Sequence, residues 1–82
     1  MSHFVNVGFG NMVNVDKILA IINPDSAPAK RLVSNGKDSK TLIDATQGRK
    51  TKSIIVTTDN KIILSSLLSE TITGRVDNDI NN

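Results

Sequence analysis

Gly48-Arg49-Lys50-Thr51-Lys52 gathers three cations within four positions and places a glycine in front of them. On an extended strand Lys50 and Lys52 share one face while Arg49 points the other way. A turn at Gly48 lets all three converge. Arginine supplies a planar fork that matches phosphate oxygens or guanine edges, lysine a point charge, and Thr51 a hydroxyl for one more phosphate hydrogen bond. The chemistry on offer is the holding of a polyanion. An ordinary solvated charge cluster accounts for the same residues equally well, so the segment alone leaves both readings open.

Catalytic chemistry finds little to work with. A nucleophile–base pair needs His or Cys beside Ser or Thr, and the chain has one histidine, His3, and no cysteine. A zinc site needs three or four ligands that the sequence does not assemble. Asp16, Asp25, Asp38, Asp44, Asp59 and Glu70 show no paired spacing for acid–base work. Asp44 stands closest to the basic segment, and its expected role is to accept backbone hydrogen bonds that shape the following turn. Gly8-Phe9-Gly10 is not a dinucleotide fingerprint, because position 13 is Val and β-prone residues follow. These glycines are expected to permit a tight bend between two strands. No enzyme activity, metal, cofactor or small-molecule substrate is expected.

The elements that must position the basic segment follow from hydrophobic patterning. Phe4-Val5-Asn6-Val7 alternates as a strand with one wet face, and Met12 to Val15 suits a second short strand. Ile18-Leu19-Ala20-Ile21-Ile22 is a continuous apolar run that fits a buried strand, ended by Asn23-Pro24. Ser26 and Pro28 mark a helix start. That helix is expected to end near Asn35, with Gly36 as its left-handed terminal residue. Ala29, Leu32 and Val33 fall on one face, with Lys30 and Arg31 off it. Thr41-Leu42-Ile43-Asp44 reads as a short strand, and Ser53–Thr57 with Lys61–Ser65 as a hairpin around Thr58-Asp59-Asn60. The hairpin is apolar on both faces, so one face is expected under the helix and the other against a partner subunit. Ser69–Thr73 suits a short helix stopped by Gly74. The predicted class is α+β: a small β-rich single domain of about five strands, one main helix and a short C-terminal helix.

Ten basic residues face eight acidic ones, for a net charge of +2. Asp77 and Asp79 lie in the polar segment 77–82, which is expected as a disordered tail beyond a domain spanning 1–76. Setting those two aspartates aside raises the balance from +2 to +4, a field that favours polyanions. Phe4 and Phe9 are the only aromatic residues. A stacking platform for single strands is therefore poorly supplied, and duplex DNA held by its backbone suits the chain better. No apolar run reaches the roughly 18 to 20 residues of a membrane span, and Met1 to Gly10 shows no secretory pattern. A cytoplasmic protein without membrane contact is expected. A domain this small, without disulfides, gains from oligomerisation.

Three motifs carry a resemblance. Asn6-Val7-Gly8-Phe9-Gly10-Asn11, Asn23-Pro24-Asp25-Ser26-Ala27-Pro28-Ala29-Lys30-Arg31 and Leu42-Ile43-Asp44-Ala45-Thr46-Gln47-Gly48-Arg49-Lys50-Thr51-Lys52 closely resemble the RemA family of extracellular matrix regulators. The similarity runs in order from roughly Phe4 to Arg75. It implies a bacterial DNA-binding transcription activator of biofilm-matrix genes, built as a homo-oligomeric ring on which duplex DNA wraps. Carried over by position, the DNA-contacting residues are Arg49, Lys50, Lys52 and Lys17, with Lys30, Arg31 and Thr51 as further candidate contacts; Pro28 is read as structural. Lys17, Lys50 and Lys52 stand where the family commonly has arginine, and Gln47 where it has an aromatic residue. Charge survives these changes but bidentate geometry does not, so phosphate holding is kept while base preference need not be the family's. Asp16 beside Lys17 lowers the local potential. RNA binding and a structural module that pairs with an acidic protein are the competing readings.

Overall fold

Six short strands and two helices succeed one another along the chain: β1 (Phe4–Asn6), β2 (Met12–Asn14), β3 (Ile18–Ile22), α1 (Ala27–Ser39), β4 (Leu42–Asp44), β5 (Ser53–Thr57), β6 (Ile62–Ser65) and α2 (Ser69–Asn81). The computed structural model describes residues 3–81, with side chains through residue 78. β-Branched residues build the central pair, in which Ile55 faces Ile63 across antiparallel β5 and β6 as the hairpin pattern predicts. β3 adds antiparallel to the far side of β5, and β4 parallel to β6, giving the order β3-β5-β6-β4. β1 and β2 form a separate antiparallel hairpin.

Alternation along β5 and β6 sends side chains to two cores. Ile54 and Ile62 face α1, where Ala29 is buried and Leu32 and Val33 pack, as the helical spacing predicts. Ser26 Oγ accepts a hydrogen bond from the Ala29 amide at 3.3 Å, and proline occupies the first turn. The helix does not end at Asn35. It continues to Ser39, and Lys40, at φ 59°, is the left-handed residue. Gly36 lies inside the helix and is buried, for a different reason: a Cβ there would stand 3.3 Å from Ile62 Cγ1 and 3.5 Å from Leu42 Cδ1. Glycine lets the helix approach the sheet.

Ile55 and Ile63 point to the other face, which is not left for a partner subunit. The β1–β2 hairpin and α2 cover it, burying Val5, Val13 and Ile72. Val76, one helical turn after Ile72, packs on the same core and carries α2 past Gly74 to Asn81. Residues 77–81, expected in a disordered tail over 77–82, have helical backbone; residues 1, 2 and 82 lie outside the described range. β3 departs from expectation in another way. It is an edge strand rather than a buried one, with a register shift between Ile18 and Ala20 and with Leu19 68% exposed. A continuous apolar run signals burial on both faces but says nothing about which strand lies at the edge. The molecule is a small α+β domain in which α1, the sheet and the hairpin with α2 form successive layers.

Candidate functional site

The chain leaves β4 with the Ala45 amide donating to the Leu64 carbonyl at 2.9 Å, and then enters a turn shaped by local hydrogen bonds. Asp44 Oδ1 accepts from the Thr46 amide at 2.9 Å and from Thr46 Oγ1 at 2.6 Å, fulfilling the turn-shaping role expected of it. These two bonds, the hydroxyl's first, hold the Asp44 carboxyl below its ordinary range. The Arg49 amide then donates to the Thr46 carbonyl at 3.0 Å. The central residues of this turn, Gln47 and Gly48, both have positive φ, at 55° and 77°. Positive φ at both central positions characterises the type I′ turn, which reverses a chain tightly. Gly48 supplies the bend that the sequence assigned to it.

Beyond the turn, the Lys52 amide donates to the Ser65 carbonyl at 2.8 Å, laying residues 49 to 52 along the end of β6. Arg49, Lys50 and Lys52 are exposed, and among the described residues none of them forms an ion pair. All three line one open cleft of about 300 Å³, together with Phe9 and Ser66. Thr51 is half-buried and does not line this cleft. It lines a second cavity of about 250 Å³ with Lys30, so Lys30 stands beside the basic segment. Arg31 is exposed on α1 and lines neither cavity. Lys50 and Lys52 also border a third cavity of about 240 Å³, whose rim carries Asp25 and Glu70. The positive strip is therefore bounded by carboxylates on one side.

Lys17 is not part of this cluster. It closes the 3-10 turn Val15–Lys17, and its carbonyl accepts from the Thr58 amide at 2.8 Å. Ile18 pairs with Thr57 and Ile22 with Ile54, so Lys17 lies at the end of the sheet opposite the basic segment. The length of β5, roughly 13 Å at 3.3 Å per residue, separates the two within one subunit. Asp59 and Lys61 are its charged neighbours there. The Asp59 carboxyl is held below its ordinary range, first by the Thr57 hydroxyl.

Sequence reasoning passed over two residues of the site. Ser65 is fully buried, and its hydroxyl donates to the Val7 carbonyl at 2.6 Å while accepting from the Leu67 amide at 3.1 Å. One residue thus pins the β1–β2 hairpin through its side chain and the basic segment through its carbonyl. Nothing in a serine at the end of an apolar strand announces this. Phe9, read only as part of a bend, projects from the hairpin tip with its ring 5.9 Å from the Arg49 guanidinium carbon. A large apolar side chain between two turn glycines was the available signal. Among the described residues, no group of three or more His, Cys, Asp or Glu side chains comes together, and no helix is long and apolar enough to cross a membrane.

A family model described as extracellular matrix regulatory protein A-like matches residues 4–76. A relative from Lachnoclostridium phytofermentans is 51% identical over 76 residues, covering 93% of this chain and 84% of its own length. One from Pseudothermotoga lettingae is 52% identical over 75 residues, covering 92% of this chain and 82% of its own. A third, from Geobacillus thermodenitrificans, is 43% identical over 76 residues, at 93% and 87%. All three are provisionally named as regulatory proteins, with no ligand in the name.

Proposed function

Because the chain belongs to the RemA-like family and so has a regulatory role, we propose that it regulates transcription by binding duplex DNA through the 49–52 segment. In keeping with the resemblance of its motifs, it acts as an activator of matrix genes, and its subunits assemble into a ring. It works in the cytoplasm as a binding protein rather than a catalyst. The observation that carries this reading is the convergence of Arg49, Lys50 and Lys52, exposed and without ion pairs among the described residues, on one cleft. Such cations release counterions when they meet phosphates, which makes binding strong at low salt and steeply salt-dependent.

Assembly answers the weakness of a single site. Three or four phosphate contacts give nonspecific affinities of about 10⁻⁴ to 10⁻⁶ M, and repeating them on a rigid ring makes each later contact intramolecular. Exposed Leu19 on the β3 edge and Phe4 and Met12 on the outer face of the hairpin are apolar surface suited to subunit contacts. In a ring, Lys17 of one subunit can serve a different stretch of the same wrapped duplex from that held by the basic segment. Bending of the duplex then contributes to recognition at bases that no side chain touches.

Fluorescence anisotropy with promoter duplex, at several salt concentrations, tests the proposal. Arg49→Ala and Lys50→Ala are each expected to abolish binding at moderate salt while light scattering shows an unchanged oligomer. The logarithmic salt slope should be about 0.9 per phosphate neutralised. Full binding by both variants, or a flat salt response, refutes the assigned surface. Preference for single-stranded RNA over duplex in direct competition refutes the choice of polymer.

A further inference from the structure

The hairpin tip is an unusual place for phenylalanine. Gly8, Phe9 and Gly10 have φ of 118°, 55° and 76°, three positive values in succession. The two glycines adopt such angles freely, but an aromatic residue there bears backbone strain. The strain brings no burial, since Phe9 is 50% exposed. Glycine or asparagine would make the same turn at lower cost. Strained, exposed side chains of this kind persist where the surroundings fix them for a purpose.

The surroundings here do fix it. Asn6 Oδ1 accepts from the Gly8 amide at 2.7 Å, and the Gly8 carbonyl accepts from the Asn11 amide and side chain, both at 3.0 Å. Ser65 ties Val7 to the end of β6 and is the same residue whose carbonyl ties Lys52. Arg75 Nη1 donates to the Asn6 carbonyl at 2.8 Å, bracing the hairpin from α2. Together these bonds place the ring beside the Arg49 guanidinium at the cleft that Lys50 and Lys52 also line.

We propose that Phe9 is a positioning residue for the DNA contact: its ring holds the Arg49 guanidinium at the mouth of the cleft, so that Arg49, Lys50 and Lys52 meet the phosphate backbone as one preformed unit. Arginine otherwise spreads over many rotamers, and ordering it on binding costs affinity. A cation–π contact at an exposed site preorganises the fork and is equivalent to roughly a two- to fivefold change in binding per subunit. In an oligomer the effect compounds with each subunit engaged. The inference rests on the DNA-binding reading above and adds to it the one aromatic side chain of the cleft.

The test compares Phe9→Leu with Phe9→Trp in the full-length protein. Leucine keeps an apolar side chain on the same left-handed backbone, so strain is common to both variants, and only tryptophan keeps an aromatic face. Phe9→Leu should weaken duplex binding roughly two- to fivefold with the salt slope unchanged, because Arg49 still reaches its phosphate once bound; Phe9→Trp should retain affinity. At low salt, where Arg49→Ala still binds measurably, Phe9→Leu should add no further loss in that background. The free protein supplies an independent readout, because the Arg49 Hε resonance should lose its ring-current shift in Phe9→Leu and keep it in Phe9→Trp. Equal loss in the Arg49→Ala background would show Phe9 acting on DNA by itself, as a wedge or stacking group, and would overturn the proposal. Unchanged binding by Phe9→Leu alongside normal wild-type binding overturns it too. Wild-type protein that ignores duplex sinks the DNA reading and this inference with it, whereas an unmoved Arg49 resonance removes the contact alone.

Discussion

Ser53 and Ser65 are cross-strand partners in β5 and β6, both fully buried, yet replacing each with alanine should have opposite consequences. The Ser65 hydroxyl donates to the Val7 carbonyl and accepts from the Leu67 amide. The Ser53 hydroxyl has no hydrogen-bond partner among the described residues. Ser65→Ala strands a carbonyl in the interior and deprives an amide of its acceptor. A buried group left unsatisfied costs about 1–3 kcal/mol, and a domain of this size loses roughly 4–8 °C in Tm per kcal/mol. Ser53→Ala removes a hydroxyl that was desolvated without return, so it should be neutral or stabilise by up to about 1 kcal/mol. The two substitutions delete the same atom from neighbouring positions, which cancels changes in size and strand propensity. Thermal unfolding by circular dichroism reads the difference, at one fixed protein concentration because assembly makes Tm concentration-dependent. If Ser53→Ala destabilises as much as Ser65→Ala, the assignment of the Ser65 hydroxyl as a tie between hairpin and sheet is refuted. In the Ser65→Ala protein, amide exchange at Val7 and Asn11 should also accelerate more than exchange in β5.

Two helical glycines form a second matched pair. Gly74→Ala, with nothing within 4 Å of the new Cβ, should stabilise by up to about 1 kcal/mol through helix propensity. Gly36→Ala meets Ile62 at 3.3 Å, and overpacking of about 1–3 kcal/mol offsets the same gain, leaving it neutral to roughly 2 kcal/mol destabilised; equal stabilisation of both in urea denaturation sinks the close-packing account. For acid sensitivity, Asp44 and Asp59 have folded pKa values below their unfolded ones. Their stabilisation is complete above the unfolded value of about 3.9 and is lost as pH falls through the folded values. Their share of stability should be constant from about pH 5 upward and decline below about pH 4. The double variant Asp44→Asn/Asp59→Asn should flatten that decline in denaturation midpoints measured from pH 3 to 7, and an unchanged decline excludes these two carboxylates as its source.

Local chemistry was the legible part of the fold. Strand-forming runs, the Ser26 cap, the Ala29–Leu32–Val33 stripe and the bend at Gly48 each follow from interactions within a few residues, and each is where the sequence places it. Features decided by distant parts of the chain were less legible. Gly36 reads as a helix terminus because a terminal glycine and a close-contact glycine are identical until Ile62 is known to lie opposite. The length of α2 depends on a core that Ile72 and Val76 reach only in three dimensions. In the site, adjacency in sequence found the basic segment and Thr51. It could not reveal that Lys17 lies at the far end of the sheet, because that depends on the register of β3 against β5. Nor could it bring Phe9 to Arg49, forty positions away.

The turn from Asp44 to Arg49 has an evolutionary corollary. Its shape comes from the Asp44 carboxylate, Thr46 and backbone groups, and the strip beyond it is anchored by the backbone amide of Lys52. Among the described residues, the side chains of Lys50 and Lys52 take no part in any bond that shapes the loop or the core. Lysine and arginine can therefore be exchanged at these positions without disturbing the scaffold, and under the proposed DNA-binding role such exchanges would alter which duplex sequences are held. Duplicate genes built on this domain would diverge first in the charge chemistry of this strip and only much later in their architecture.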